Sequence, residues 1–237
     1  MTTGRVAAFF DIDHTVLEIN SGSKWIGYMW RTGQMSVVQL GRSLKWLAQY
    51  RFGQLDYDAM AARVLASYKG KQAGPLADEI AKWFREEVAW TICSEARAKI
   101  DEHRAAGDVI VLLTSATQFL TEPVARELAI EHMLCTRIEV GQDGIFTGNY
   151  EVPACYGPGK VRYAERFSEQ FGIDLARSYF YSDSFSDLPM LERVGQPRVV
   201  NPDPRLRRAA RERGWTWETW TAPRERGRRQ DVGSGAR

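Results

Sequence analysis

The chain has 237 residues, of which 44% are hydrophobic and 26% are charged, and its formal net charge is +2. A chain of this size can bury one sizeable core, with room for a smaller inserted domain. No apolar run approaches the roughly 20 residues of a membrane-spanning helix, and charged residues come too early for a signal peptide, so we expect neither. Three widely spaced cysteines without a CxxC pair predict a reduced, cytoplasmic setting rather than a disulfide framework.

The first predicted element is a short buried strand over Arg5–Phe10, which stops abruptly at two aspartates, Asp11 and Asp13. The segment over about residues 23–90 has apolar residues at helical spacing, and Gly and Pro interrupt this pattern at "RTGQ", "RFGQ" and "KQAGP". This segment contains no strand pattern. It therefore predicts a block of several helices close to the start of the chain.

Beyond this block the predicted helices and strands alternate. In order, they are a helix over 94–106, a strand over 109–113, a helix over 118–129, two strands within 132–152 with a turn near Asp143-Gly144, a helix over 159–171, a strand in "RSYFYSDSFSD", a strand in "RVVNPDP" and a helix in "DPRLRRAARERG". Alternation of this kind predicts a three-layer α/β fold, in which helices cover both faces of a parallel sheet.

Acidic and hydroxyl side chains follow three of the predicted strands. Asp11 and Asp13 follow the first strand, Ser115 follows the second, and Asp183 and Asp187 follow a later one. Because ligands of such sheets bind beyond the carboxyl ends of the strands, we expect these side chains to meet at one edge. Carboxylates that gather without His or Cys partners suit a hard cation, and a site with few protein ligands favours Mg²⁺.

Lys160 opens a predicted helix in "GPGK" and is the candidate cation for an anionic ligand at the same edge. Its surroundings do not complete a nucleotide phosphate loop, because Ala154 and Val161 stand where that motif needs Gly and Ser or Thr. An aspartate in such a site can attack a phosphoryl group, and a second carboxyl two residues later can act as acid and then as base. Each signal is weak alone, since a lone DxD pair is more often a turn or a cap.

Four segments in this order resemble the motifs of the haloacid dehalogenase (HAD) superfamily, in its phosphoserine-phosphatase-like branch (subfamily IB): "FFDIDHT", "VLLTSAT", Lys160 and "YSDSFSDLPML". The resemblance spans about residues 6–202. It implies a Rossmann-like, HAD-type core with a helical cap inserted after the first motif. The implied domains are a discontinuous core at 1–18 and 91–221, a cap at 19–90 and a basic tail at 222–237.

The resemblance also implies a role for each motif residue. Asp11 is the nucleophile and a metal ligand, and Asp13 is the general acid and base, which also offers its backbone carbonyl to Mg²⁺. Asp183 is a further metal ligand, and Asp187 supports the metal site from behind. The phosphoryl oxygens are held by Ser115 and Lys160.

The function implied by the resemblance is hydrolysis of a small or lipid-like phosphate monoester, with Mg²⁺ and through an aspartyl-phosphate, by a monomer or a homodimer. Asp13 favours a phosphatase, because the dehalogenating members lack this second aspartate. Three alternatives remain open: phosphoserine phosphatase proper, phosphoryl transfer to an acceptor other than water, and a catalytically silent fold that serves as a binding module. The presence of every motif residue argues against the silent fold.

Four further residues bear on the substrate. Asn20 stands where phosphoserine phosphatases of this branch have a glutamate that meets the serine ammonium, which argues against phosphoserine without excluding it. Arg63 either resembles the arginine that holds the serine carboxylate or lies on a solvated helix face. Ser186 keeps small polar character in the fourth motif and is a tentative substrate contact. His14 either contacts the leaving group or is a tolerated loop residue, and the second interpretation is favoured.

The predicted cap and the basic tail each allow more than one interpretation of what they contact. Helical spacing favours a core role over a substrate-pocket role for the aromatic residues of the cap, which are Trp25, Tyr28, Trp30, Trp46, Tyr50 and Phe52. The basic stretch "GRSLKWLAQYRFG" suggests at most a weak contact with a membrane surface. From Arg205 to Arg237 ten arginines accompany four acidic residues, and a solvated terminus is favoured there, so we expect no specific nucleic-acid partner.

Overall fold

The computed structural model describes residues 4–51 and 57–223. The helices in these ranges are α1 (Ser21–Arg31), α2 (Val37–Arg51), α3 (Tyr57–Ala66), α4 (Ala73–Trp83), α5 (Ser94–Ala105), α6 (Gln118–Glu127), α7 (Pro158–Phe171), α8 (Leu188–Arg193) and α9 (Pro204–Glu212). The strands are β1 (Ala7–Phe10), β2 (Val109–Thr117), β3 (His132–Thr136), β4 (Ile138–Val140), β5 (Phe146–Tyr150), β6 (Tyr179–Ser182), β7 (Gln196–Val200) and β8 (Trp217–Glu218).

Six of the strands form one parallel sheet in the order β3-β2-β1-β6-β7-β8. The chain runs outward from β1 through β2 to β3 and then returns to the other side of β1 with β6. The strand order therefore reverses between β1 and β6, and this is the position at which such sheets open a crevice for a ligand. The predicted α/β fold with a parallel sheet is confirmed.

The short apolar run of β1 is buried on both faces of the sheet, which explains why it has no polar alternation. Ala8 and Phe10 belong to one hydrophobic cluster, which includes side chains of α5 and α6. Ala7 and Phe9 belong to the other, which includes side chains of α7, α8 and α9. The sheet is therefore the middle of three layers.

The helices α1 to α4 precede a short π-helical turn at Phe84–Val88 and a 3₁₀ turn at Ala89–Thr91, which lead back into the sheet domain. An antiparallel hairpin of β4 and β5 lies against this block, because Gly70 donates to the Phe146 carbonyl and Phe146 donates to the Lys71 carbonyl. No helix in the described ranges is long and apolar enough to cross a bilayer. The division into core, cap and tail stays a prediction, and residues 224–237 lie outside the described residues.

The prediction of two strands within 132–152 was wrong, because the segment forms three. The chain leaves the sheet after Thr136, the last residue of β3 to pair with β2, and Ile138 then pairs with Tyr150 in the hairpin. A continuous apolar pattern cannot reveal such a change of partner. The sequence interpretation also missed α8 and the two-residue strand β8, and it ended β2 at residue 113 although the strand continues through Ser115 to Thr117.

Candidate active site

The crevice between β1 and β6 brings the first and fourth motifs together. Asp11 follows β1 directly, and its backbone N–H donates to the Tyr181 carbonyl at 3.0 Å, which continues the pairing of the two strands. Asp183 follows directly after β6. The backbone of Asp183 is fixed in turn, because its carbonyl accepts from the Asp203 N–H at 2.8 Å. Rigid strand ends therefore hold both aspartates at the same edge.

Lys160 forms the centre of the buried charges at this edge. It lies in the first turn of α7, and its Nζ donates to Asp11 Oδ1 at 2.9 Å and to Asp187 Oδ2 at 2.6 Å. Ser182 Oγ donates to the same Asp187 oxygen at 2.7 Å. All three charged side chains of this group are buried. Both Lys160 and Ser182 therefore bind the same oxygen of Asp187, and the role of Asp187 in supporting a metal site stays a prediction.

The carboxylates at this edge outnumber the buried cation. Burial raises the pKa of Asp11 and of Asp187, and the ammonium of Lys160 opposes the rise in both. Burial alone would lower the pKa of Lys160, but the two carboxylates raise it above its ordinary value, so it stays charged. Burial, and then the charges of Asp11, Asp187 and Asp13, hold the pKa of Asp183 well above its usual range. The site is therefore suited to a further positive charge.

Asp13 is held by the start of α1. Asn20 Nδ2 donates to Asp13 Oδ2 and the Ser21 backbone N–H donates to Asp13 Oδ1, each at 2.9 Å. Burial raises the pKa of Asp13, while hydrogen bonds from the side chain and the backbone of Ser21 lower it. The other end of the Asn20 amide caps α1, since Oδ1 accepts from Ser23 N at 2.8 Å. Both ends of this amide have partners within the protein, so Asn20 positions Asp13.

Ser115 lies near the end of β2 and is touched by the helical block. The hydroxyl of Tyr57, the first residue of α3, donates to the Ser115 carbonyl at 2.7 Å. The Tyr57 ring stacks on Tyr156, with centroids 4.9 Å apart and planes 14° apart, and Tyr156 precedes α7 by two residues. Tyr57 of the helical block therefore contacts the second motif at Ser115 and, at Tyr156, the segment that precedes Lys160.

A cavity of about 1030 Å³ extends from this edge into the helical block. Asp13, Asn20, Arg63 and Ser115 line it, so the structure brings these four predicted site residues together. Ser186 does not line it. It lies on a separate cavity of about 300 Å³ beside the start of α7, and its Oγ is 2.9 Å from Ser184 Oγ.

His14 is exposed, follows Asp13 directly with a φ of 53°, and does not line the large cavity. This placement agrees with the favoured interpretation of a loop residue. Among the described residues no three His, Cys, Asp or Glu side chains form a ready metal cluster. Lys160 engages Asp187 and one oxygen of Asp11, and Asn20 engages Asp13, so the carboxylate of Asp183 and the remaining oxygen of Asp11 are the groups that could hold a cation.

The aromatic residues of the cap divide between the two predicted roles. Trp25 and Trp46 line the large cavity, whereas Tyr28 stacks on Trp25 with ring centroids 5.0 Å apart. Trp30 is 45% exposed and belongs to neither group. The side chain of Tyr50 and the residue Phe52 lie outside what the structure describes. The preference for a pure core role was therefore too narrow, because packing and cavity lining share the same helices.

Sequence reasoning missed several residues that shape the site. Ser182 and Asn201 both stand at the carboxyl ends of strands, so the rule that found the aspartates could also have found them. Asn201 Nδ2 donates to the His14 carbonyl and to the Trp220 carbonyl, each at 3.0 Å, which ties the first-motif loop to the end of β7. Tyr57 and Tyr156 carry no local signal, because their contacts join segments distant in sequence.

The chain also matches a known protein family over the residues that contain these motifs. A sequence profile of the haloacid dehalogenase-like hydrolases matches residues 8–192. The chain belongs to this family. The match covers all four motif segments, from the strand before Asp11 to the helix after Asp187.

Three similar proteins indicate which branch of the HAD family this chain belongs to. It is 33% identical over 216 residues to a phosphoserine phosphatase of Mycobacterium tuberculosis, covering 88% of this chain and 69% of that protein. It is 31% identical over 212 residues to a histidinol-phosphatase of Neisseria meningitidis serogroup C, covering 88% and 96%. A crystal structure of a protein of unknown function from Bordetella pertussis matches with a TM-score of 0.81 and 32% identity, covering 91% of this chain and 99% of that one. The chain is therefore an enzyme of the phosphoserine-phosphatase-like branch.

Proposed function

We propose that this HAD-family enzyme is a Mg²⁺-dependent phosphomonoesterase that works through a phosphoryl group carried on Asp11. The observation that supports this most directly is the arrangement of Asp11, Lys160 and Asp187 at the β1/β6 edge, with Asp13 and Asp183 beside it. A nucleophilic carboxylate, a fixed cation and further carboxylates that can hold a metal ion are the parts that phosphoryl transfer requires.

The donor set fits a magnesium ion. The carboxylates of Asp11 and Asp183 and the backbone carbonyl of Asp13 would hold it, and these three oxygens leave room for water and a phosphate oxygen. When bound, Mg²⁺ would neutralise charge on the phosphoryl oxygens and on the facing carboxylates. The raised pKa of Asp183 is consistent with this fit, because it reflects first the burial of the carboxyl and then the negative charge of Asp11, Asp187 and Asp13, which Lys160 only partly opposes.

In the first step Asp11 acts as the nucleophile. One of its carboxylate oxygens forms a bond to phosphorus while the bond between phosphorus and the ester oxygen breaks. Asp13 gives its proton to the departing ester oxygen, and the raised pKa of Asp13 favours the protonated form that this role needs. Lys160 and Ser115 hold the phosphoryl oxygens, and the rest of the substrate leaves as an alcohol.

In the second step Asp13 acts as a base. Its carboxylate takes a proton from a water molecule, the water oxygen bonds to phosphorus, and the bond between Asp11 and phosphorus breaks. Inorganic phosphate leaves, and both aspartates return to their starting protonation states. Asn20 and the Ser21 N–H hold Asp13 in place during both steps. If a hydroxyl compound replaced water here, the enzyme would be a phosphotransferase.

The test is an Asp11→Asn variant assayed for phosphate release with Mg²⁺ and with EDTA. The first substrates to try are p-nitrophenyl phosphate, phosphoserine and histidinol phosphate, the last two because of the relatives' names. We expect Asp11→Asn to lose at least about a thousandfold in kcat, because the covalent step disappears. Asp101→Asn is the matched control, since Asp101 is exposed on α5.

Two further measurements complete this test. Mass spectrometry of acid-quenched wild-type enzyme should find a phosphoryl group on the peptide that contains Asp11. An added alcohol acceptor that yields a new phosphate ester would favour transfer over hydrolysis. Normal phosphate release by Asp11→Asn would refute the proposal, and failure to turn over any phosphate ester with Mg²⁺ would instead favour a binding module.

A further inference from the structure

The cavity above the catalytic edge is larger and less polar than a small phosphate ester needs. Its volume of about 1030 Å³ stands at the upper end of the range of roughly 300–1,000 Å³ for sites that bury a drug-sized ligand. One end is formed by Asp13 and Ser115, and the other lies among the helices α1 to α4. A substrate whose phosphate lies at the catalytic edge therefore has most of the cavity beyond it.

The walls beyond the catalytic edge are mainly hydrophobic. They include large apolar side chains from both the helical block and the sheet domain: Trp25, Met29, Met60, Trp83, Phe119 and Phe146. Methionine and aromatic side chains adapt to flexible apolar ligands. Trp83, Phe119 and Phe146 are themselves buried, so the half-buried side chains of Trp25, Met29 and Met60 are the ones that meet water in the cavity. Leaving these apolar surfaces in contact with water costs free energy in proportion to their area.

The charged lining residues do not alter this character. Arg42, Arg63 and Lys71 are solvent-exposed. Glu79 is half-buried, and its Oε1 accepts from the Tyr28 hydroxyl at 3.2 Å. The lining therefore combines exposed cations with apolar walls.

From these features we propose that the substrate is an amphiphilic phosphate monoester, whose hydrocarbon tail occupies the cavity between the helical block and the sheet domain. This inference rests on the proposed phosphomonoesterase activity and names its substrate class. The phosphate lies against the catalytic edge and the tail extends past Trp25 and Met60. The tail removes the apolar walls from water, and a short polar ester cannot do this.

The test is a chain-length series of n-alkyl phosphates, from methyl through butyl and hexyl to octyl, assayed with Mg²⁺ below their micelle-forming concentrations. We expect kcat/KM to rise by up to about fourfold for each added methylene until the cavity is full. In parallel, binding of the matching alkylphosphonates, which have no ester bond to hydrolyse, is followed by tryptophan fluorescence. Affinity should rise with chain length in the same way.

Two variants locate the tail. Met60→Trp fills part of the cavity from α3, and we expect it to reduce the rise in kcat/KM from methyl to octyl phosphate at least tenfold. Ala62→Trp places the same indole on the exposed side of α3, outside the cavity, and should keep the gain. If Met60→Trp leaves the gain intact, or Ala62→Trp reduces it equally, the tail does not lie in this cavity.

The outcomes separate the two proposals. Turnover of methyl phosphate without any rise along the series, in rate or in phosphonate affinity, overturns the amphiphile inference and leaves the phosphomonoesterase intact. No turnover of any ester, with phosphonate affinity that still rises with chain length, refutes the proposed activity and supports the tail site.

Discussion

Asn20 gives the sharpest test of how this site is built, because one side chain performs two separable tasks. Its Oδ1 caps α1 by accepting from Ser23 N at 2.8 Å, and its Nδ2 donates to Asp13 Oδ2 at 2.9 Å. Serine is about as good a helix cap as asparagine, but it cannot also supply an amide donor. Asn20→Ser therefore keeps the cap and removes the contact with Asp13, whereas Asn20→Ala removes both.

The magnitudes follow from these contacts. Because serine keeps the cap, Asn20→Ala should lower the free energy of unfolding by about 1 kcal/mol more than Asn20→Ser does, while both variants lose the hydrogen bond to Asp13. A hydrogen bond to a charged group is worth about 1.5–3 kcal/mol. Since the Ser21 N–H still holds the other oxygen of Asp13, we use the lower end of this energy range, about 1.5 kcal/mol. This corresponds to a loss of about tenfold in kcat/KM for both variants.

The assays are phosphate release from p-nitrophenyl phosphate with Mg²⁺ and unfolding in urea. Asn20→Asp is an informative third variant, because it keeps the cap but places a second carboxylate against Asp13. It should lose more activity than Asn20→Ser, and its deficit should deepen as pH rises and both carboxylates ionise. Wild-type kcat/KM in Asn20→Ser combined with a loss in Asn20→Ala would refute the reasoning, since activity would then follow the helix cap.

Two other perturbations probe the same site. Lys160→Met leaves Asp11 and Asp187 buried without a cation, so we expect it to abolish phosphate release and to cost about 3–5 kcal/mol in urea unfolding. Without the cation, the pKa of both acids in the folded state rises further above the unfolded value of about 4, so the variant should lose stability as pH increases above that value. A loss of unfolding free energy that does not change with pH would contradict this account. Tyr57→Phe removes the hydrogen bond to the Ser115 carbonyl but keeps the stacking on Tyr156, so kcat/KM should fall about threefold to tenfold with little change in unfolding. An unchanged kcat/KM in Tyr57→Phe would show that this contact does not position the second motif.

Sequence alone predicted the fold and the family of this enzyme because the signals for them are local. The buried run before Asp11 and the run before Asp183 both predict strands, and their ends predict the edge where the two aspartates meet. The helical spacing over about residues 23–90 likewise predicts the helical block, since amphipathic periodicity depends only on neighbours along the chain. The motif order then placed Ser115 and Lys160 in the same site.

Only the tertiary structure showed which polar and charged side chains bind one another. Lys160 bridges Asp11 and Asp187, Asn20 holds Asp13 instead of standing free for a substrate, and Ser186 lies on a separate cavity. The order β3-β2-β1-β6-β7-β8 creates these pairings by bringing distant segments to the crevice between β1 and β6. The apolar volume above the site arises in the same way, because helices of the inserted block and of the sheet domain each supply only part of its wall. Such partnerships depend on packing between elements, and no periodicity within one element encodes them.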